Sequence, residues 1–243
     1  DFEQARTIYH QTTLPPVKIV LTGSGRVAYG AISALKDMNI QEVSPLEFLK
    51  QEDFETAVFT HLTSADYVKH KDNKIFVKKD FYQNPQDYVS IFKPYAEKAN
   101  IFLNCIYWDT RAPAFFTMEE IADASFNIEV IGDITCDIAP ESSVPTTLKA
   151  STIDEPVFGI DTESFEITAP YKETSIDVMS IDNLPNELPR DASRYFGDQF
   201  IKVIIPELMA ENSKILDYAT IAKDGALTPH FMYLNEYVHE AAG

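Results

Sequence analysis

Gly23-Ser24-Gly25-Arg26-Val27-Ala28 is the segment that most narrows what this chain can become. It follows Val17-Lys18-Ile19-Val20-Leu21-Thr22, a β-branched run after the Pro15-Pro16 break that reads as a buried strand. It precedes an apolar stripe at helical spacing, Val27, Ala28, Ala31, Ile32 and Leu35, which ends near Asn39. Strand, G-x-G-x-x-A turn and helix in that order are the expected opening of a dinucleotide-binding fold. Gly23 permits the tight turn and Gly25 lets the backbone approach a pyrophosphate. Small Ala28 lets the helix pack closely on the strand, and the helix N-terminus offers free N–H groups. Two alternatives stay open on these residues: an ordinary glycine-containing βα turn, and a methyltransferase that binds S-adenosylmethionine.

The rest of the first half alternates short apolar runs with helical patterns. The runs are Ile40 to Val43, Ala57 to Thr60, Ile101 to Ile106 and Ile128 to Ile131, and Tyr88-Ile91-Phe92-Tyr95 reads as helix. Such alternation predicts an α/β fold of Rossmann type, a mostly parallel sheet flanked by helices. Phe76 to Tyr88 reads as an aromatic-rich loop without a period. Pro156 to Pro170 alternates apolar and polar residues, which predicts a short antiparallel insertion, and Asp177 to Ile181 reads as a further core strand. Pro189 is placed as a first helical residue, with Ala192, Tyr195, Phe196, Phe200 and Val203 on one face and Pro206 kinking or ending the helix. Asn212 and Thr228-Pro229 read as two further helix starts.

Residues 1–16 read as an entering helix and linker, with Phe2, Ala5, Ile8 and Tyr9 at helical spacing. Residues 17–243 read as one nucleotide-binding domain with C-terminal helices, because no repeat or polar linker divides them. The first residue is Asp1 and no signal peptide is recognisable, so a larger parent protein, or a chain trimmed at its start, is expected.

Charge bears on partners. Across 243 residues, 20 basic and 38 acidic side chains leave a net charge of −18, a field that repels phosphate backbones and anionic membranes. Neither nucleic acid nor a membrane is an expected partner; a small molecule is, and a homo-oligomer stays open. The two cysteines, Cys105 and Cys136, lack metal or disulfide spacing, which fits a cytoplasmic protein without a metal site. The five histidines are scattered, and neither G-x-S-x-G nor a P-loop occurs.

Ligands of parallel sheets gather at the carboxyl ends of strands, so residues just after each apolar run are the candidates. The second run ends in Ser44 where NAD-binding folds usually place an acid. A neutral residue removes the carboxylate that repels a 2′-phosphate, which admits NADP, although no Arg stands beside it and the nearest downstream cation is Lys50. Cys105-Ile106-Tyr107-Trp108-Asp109 is placed to flank a nicotinamide ribose, or its aromatics are core. Gly132-Asp133-Ile134-Thr135-Cys136-Asp137 carries two carboxylates at a strand end, which favours a polar site over solvated loop acids. In Ser180-Ile181-Asp182-Asn183-Leu184-Pro185 the polar pair also suits a helix cap.

Taken in order, Val20 to Gly25, Asn104 to Trp108, Gly132 to Asp137 and Ser180 to Pro185 resemble the lysine-ketoglutarate reductase and lysine-forming saccharopine dehydrogenase family. The likeness runs from about Val17 to Leu208. That family is grouped with the alanine dehydrogenases and the nucleotide-binding part of pyridine nucleotide transhydrogenase. The resemblance implies an oxidoreductase that moves hydride between NADP or NAD and the α-carbon of an amino acid or its imine. It implies a diphosphate turn at Gly23, Ser24, Gly25, Arg26, Val27 and Ala28, and an adenosine and ribose wall at Cys105, Ile106 and Tyr107. Asp133, Ile134 and Thr135, with Asp182, Asn183 and Leu184, are implied to lie beside the nicotinamide, and Asp137 near the reacting carbon. Neutral Ser44 resembles the reductases, which favour NADPH. The proton-handling Lys and His of the family come from an N-terminal domain for which no matching segment is found, so the chain resembles the cofactor half of an enzyme. A non-catalytic nucleotide-binding module is the alternative of a different class.

Overall fold

The computed structural model describes residues 1–241. The amphipathic N-terminal segment forms α1 (Phe2–Tyr9), which Asp1 caps and an Arg6–Asp37 ion pair fastens to the helix after the glycine turn. The apolar run that follows is β1 (Lys18–Thr22), with all five residues buried, as a central parallel strand covered on both faces requires. Gly25 is the N-cap of α2 (Arg26–Asp37), which buries Ala28, Ile32 and Leu35. Val27 belongs to the expected stripe by spacing, yet it is exposed, because it sits at the stripe's edge in the first turn.

Beyond α2 come β2 (Gln41–Glu42), α3 (Pro45–Lys50), β3 (Val58–Leu62), α4 (Ser64–Tyr67), β4 (Val68–His70) and α5 (Lys78–Gln83). Next are β5 (Tyr88–Ser90), α6 (Lys93–Ala96), β6 (Ile101–Asn104), β7 (Val130–Asp133), β8 (Phe158–Asp161), β9 (Ile167–Thr168) and β10 (Ser175–Met179). The main sheet has eight strands in the order β2-β3-β1-β6-β7-β10-β8-β9. The first six are parallel, and β8 and β9 are antiparallel additions. This is the Rossmann-type α/β architecture with its short antiparallel insertion. Successive side chains of a strand point to opposite faces, so Ile19 and Leu21 pack with Ala28, Ile32 and Leu35, while Val20 joins Phe48, Phe92, Phe102 and Phe115.

The strand beside β1 is β3, in register from Lys18 opposite Val58 to Thr22 opposite Leu62, and β2 lies outside it. The apolar Ala57–Thr60 run fits a slot buried on both faces, whereas both residues of β2 are exposed. The chain then crosses to β6 on the other side of β1, which makes the carboxyl ends of β1 and β6 the topological switch point.

Two local expectations change. The helical reading of Tyr88 to Tyr95 fails at its start, because β5 pairs antiparallel with β4 and a separate helix, α6, begins at Lys93 with Pro94 in its first turn. The unpatterned segment from Phe76 to Tyr88 contains α5 and a 3₁₀ turn, Pro85–Asp87. Phe76, Phe81 and Tyr88 contact one another there, so local ring packing replaces a long-range period.

Where the sequence reading runs one domain through 17–243, the structure divides the chain into two compact units, Asp1–Glu187 and a second that starts at Leu188. In the second unit Pro189 does open a helix, α7 (Pro189–Gln199). A π-helical turn, Phe200–Ile204, leads into α8 (Ile205–Met209), so helical structure runs on through Pro206. Then come α9 (Lys214–Ala219), a hairpin of β11 (Ala222–Lys223) and β12 (Ala226–Leu227), a 3₁₀ turn over Pro229–Leu234, and α10 (Asn235–Ala241). Ser213 rather than Asn212 caps α9, and Asp224-Gly225 makes the hairpin turn with φ of 54° and 81°. Among the described residues, no helix is long and apolar enough to cross a membrane.

Candidate functional site

Gly23 has φ +118°, and a Cβ there would run into the Cys105 carbonyl group and approach the Ala28 methyl. A side chain is therefore excluded by both conformation and space. The turn is tied to both neighbouring strands: the Gly23 N–H donates to the Leu62 carbonyl, and the Cys105 N–H to the Thr22 carbonyl, each at 3.1 Å. Gly25 differs, because nothing lies within 4 Å of the place its Cβ would take. Its open side faces a cleft of about 740 Å³ at the switch point, within the range of small-molecule sites.

Three stretches wall this cleft. The glycine turn supplies Gly23, Ser24, Gly25, Arg26 and Val27, and the segment after β6 supplies Cys105, Ile106, Tyr107, Trp108 and Asp109. The third wall comes from α4, β4 and α5, with Ser64, Tyr67, Val68, Lys78, Phe81 and Tyr82, and from Pro85 just beyond. Ten residues singled out from sequence thus come together, and Ala28 lies buried beneath them. The third wall was missed. Its only sequence signal was the density of aromatics around Lys78, which has no spacing that marks a site.

The electrostatics of the cleft run against the charge of the chain. Arg26 and Lys78 line it, and its carboxylate, Asp109, is held by Arg111 at 2.7 Å and lies below the usual carboxylate range for that reason. Burial, with a smaller push from Asp133, raises the Cys105 thiol to about 12. Burial also raises the Tyr67 phenol to about 12, against a hydrogen bond to Ser64. Both stay neutral at ordinary pH. The indole N–H of Trp108 is buried without an acceptor.

Ser44 does not reach this cleft. It is exposed on the far side of β3 and caps α3, accepting from the Glu47 N–H at 3.2 Å. The reason is the strand order, which puts β3 where a ribose-binding strand end was expected of β2.

The acids after β7 and β10 also lie outside the cleft lining, on the next strand ends of the same sheet edge. Asp133 is buried, accepting from Asn104 Nδ2 at 2.9 Å, Thr147 Oγ1 at 2.6 Å and the Cys136 N–H at 3.2 Å. Burial raises its pKa, and these three donors pull it back. Ile134 is half-buried, and Thr135 donates to the carbonyl of cleft-lining Ile106 at 2.8 Å, bracing that wall. Asp137 is half-buried and its carboxyl is raised by burial. Asp182 and Asn183 are exposed, and Leu184 opens a 3₁₀ turn. Asp137 and Asp182 converge electrostatically on Cys136, which burial and the charges of Asp133, Asp182 and Asp137 push up to about 11. Among the described residues, no three His, Cys, Asp or Glu side chains gather as a metal site.

The chain is similar to alpha-aminoadipic semialdehyde synthase of Arabidopsis thaliana, at 29% identity over 246 residues covering 90% of this chain and 23% of that protein. It is 23% identical over 247 residues to the mitochondrial alpha-aminoadipic semialdehyde synthase of Rattus norvegicus, covering 93% of this chain and 27% of that protein. Saccharopine dehydrogenase (NAD(+), L-lysine-forming) of Neurospora crassa is 27% identical over 198 residues, 81% of this chain and 41% of its own length. The chain thus spans from about a quarter to two fifths of these relatives. No family model matches it.

Proposed function

We propose, from the chain's kinship with the alpha-aminoadipic semialdehyde synthases and saccharopine dehydrogenases, that its first unit is the nicotinamide-dinucleotide-binding part of an amino-acid dehydrogenase acting at a C–N bond. The observation that carries this reading is Gly25, whose missing side chain leaves backbone open to the switch-point cleft. Three further features fit a dinucleotide. The cleft is large enough, two cations line it, and the unpartnered Trp108 N–H offers a donor that a ligand oxygen would satisfy. Those cations suit phosphates and oppose the sulfonium of S-adenosylmethionine.

The residues take distinct roles in this proposal. N–H groups at the start of α2 hold the pyrophosphate beside Ser24, Gly25 and Arg26. Cys105, Ile106 and Tyr107 support sugar and base, and the aromatic wall at Tyr67, Phe81 and Tyr82 excludes water. When bound, the cofactor supplies hydride transfer. The loops at Asp133–Thr135 and Asp182–Leu184 flank the reacting end, where the Asp137 carboxylate stabilises a cationic imine. Either NAD or NADP is admitted, since Ser44 no longer bears on the choice.

Calorimetric titration with NADH, NADPH and S-adenosylmethionine tests this. The native chain should bind a nicotinamide dinucleotide, and Gly25→Val should keep its melting temperature while losing at least about tenfold in affinity. Binding of S-adenosylmethionine alone would overturn the reading.

A second reading, a nucleotide-binding module without catalysis, is favoured by one observation: among the described residues no histidine lines the cleft, and the lysine that does, Lys78, stands on the third wall with its ammonium 3.5 Å from Ser24 of the glycine turn. Proton transfer during C–N oxidation needs a base within hydrogen-bond reach. The 243-residue chain is accordingly expected to bind cofactor without turnover. Steady NADPH oxidation by it with lysine and 2-oxoglutarate would sink the module and show the proton-handling groups to be present here.

A further inference from the structure

The third wall of the cleft carries a cation that faces the glycine turn from across the opening. Lys78 Nζ lies 3.5 Å from Ser24 Oγ, 54 residues earlier in the chain, and 5.6 Å from the centre of the Tyr82 ring. Neither Lys78 nor Arg26 has an ion-pair partner among the described residues. The cleft's carboxylate, Asp109, is already neutralised by Arg111. In a chain of net charge −18, a cleft with two free cations and no free carboxylate is a local reversal of sign, and such a reversal selects for anions.

The platform beneath Lys78 is braced by contacts of its own. Asp80, two residues on, accepts from Tyr88 Oη at 2.8 Å and from Asn84 Nδ2 at 3.1 Å. The Lys71 N–H donates to the Asp87 carbonyl at 2.8 Å, and Lys71 Nζ to the Gln86 carbonyl at 2.6 Å. His70 meets Tyr88 edge-on at 5.2 Å, closing both ends of the segment together. A lysine on a braced wall costs less to immobilise than one on a free loop, which makes it a better partner for a phosphate.

We infer that Lys78 is a phosphate-binding residue of this cleft: its ammonium closes over Ser24 onto the pyrophosphate held by the start of α2, so that the diphosphate is gripped from two sides. The inference rests on the cofactor reading above and adds to it a residue outside the glycine turn. Its chemistry is that of a point charge, so arginine should replace it in part and an uncharged chain should not.

The test is titration of NADH into native protein, Lys78→Met, Lys78→Arg and Lys79→Met, each at low salt and at about 0.5 M salt. Lys79→Met is the control, because Lys79 is exposed on the same helix and outside the cleft. Lys78→Met should weaken NADH about tenfold or more at low salt, the scale of a lost charge-assisted hydrogen bond. It should also flatten the salt dependence, while Lys78→Arg recovers part of both and Lys79→Met changes neither. Loss of affinity in Lys78→Met with the native salt slope would mean that the side chain only packs the wall, and would overturn the inference. So would unchanged affinity. If native protein binds neither NADH nor NADPH, the cofactor reading falls and this inference with it; if native protein binds the dinucleotide and Lys78→Met binds it equally, only the inference falls.

Discussion

His61 Nε2 lies 2.5 Å from the carbonyl oxygen of Gly23. The ring N–H donates to a carbonyl just beyond the end of β1, so the penultimate residue of β3 holds the turn that the cleft is built on. Tyr29, in the first turns of α2, meets the same ring edge-on at 6.1 Å. Strand, turn and helix are thereby joined through one imidazole.

Removing that ring should loosen the turn without unfolding the sheet. His61→Ala is expected to cost about 1 kcal/mol of stability, the scale of one hydrogen bond, and to weaken NADH binding about fivefold. Chemical denaturation and calorimetry check the two effects. A variant that lost stability but bound NADH as the native protein does would show that the contact does not set the turn's binding geometry.

Ser44 gives the opposite kind of prediction. Because it caps α3 and faces away from the cleft, Ser44→Asp should leave the ratio of NADH to NADPH affinity unchanged, aspartate also being a good cap. Ser44→Ala should cost about 1 kcal/mol through the lost cap. A shift of preference toward NADH in Ser44→Asp would place the residue at the ribose after all.

Why Ser44 misled is instructive about what sequence can carry. The strand, the turn and the helix from Lys18 to Asp37 were legible because one local period follows another, and Gly23 and Ala28 have fixed jobs in that unit. The rank of β2 and β3 in the sheet is a long-range choice, decided by which run is apolar enough to be buried on both faces. Ala57–Thr60 contains that information, but only relative to a competitor seventeen residues earlier, Ile40 to Val43. The wall around Lys78 was illegible for a different reason: Phe76, Phe81 and Tyr88 close a small cluster of their own, so no repeat betrays it. The strand-end acids were found as chemistry, yet their type could not separate Asp133, which accepts from three donors, from Asp137, which has none among the described residues.

That saturation makes Asp133 separable from the others by mutation. Thr22 Oγ1 donates to Asn104 Oδ1, and Asn104 Nδ2 to Asp133, across the ends of β1, β6 and β7. Asp133→Ala leaves Asn104, Thr147 and the Cys136 N–H short of an acceptor and should cost about 2–3 kcal/mol. Asp133→Asn keeps one acceptor oxygen and should cost less. The sign of the pH effect follows from the raised pKa: the folded protein holds this proton more tightly than the unfolded chain. Its stabilising contribution is full below the unfolded carboxyl range and is lost as pH rises through the folded value. The asparagine variant should therefore gain on the native protein as pH climbs above the ordinary carboxylate range, and denaturation curves at a series of pH values measure it.

The convergence of the loops after β7 and β10 can be read through Cys136. With its thiol pushed up to about 11, roughly one molecule in a thousand carries a thiolate at pH 8, and the thiolate is the form that reacts with iodoacetamide. Native protein should therefore label slowly despite the partial exposure of this residue, and Cys105, buried and raised to about 12, slower still. Asp182 lies 46 residues from Cys136 in sequence, so its effect depends wholly on the fold. Taking away its charge with Asp182→Asn lowers the cost of the thiolate and should speed labelling of Cys136 severalfold at low salt, less at high salt. Asp137→Asn should act in the same direction. If both acids face a common space, that space is negative, as the role proposed for Asp137 beside a cationic imine requires. Labelling of Cys136, located by peptide mass, that stays at the native rate in Asp182→Asn would show that the two loops do not share it, and would remove Asp182 from the reacting end of the site.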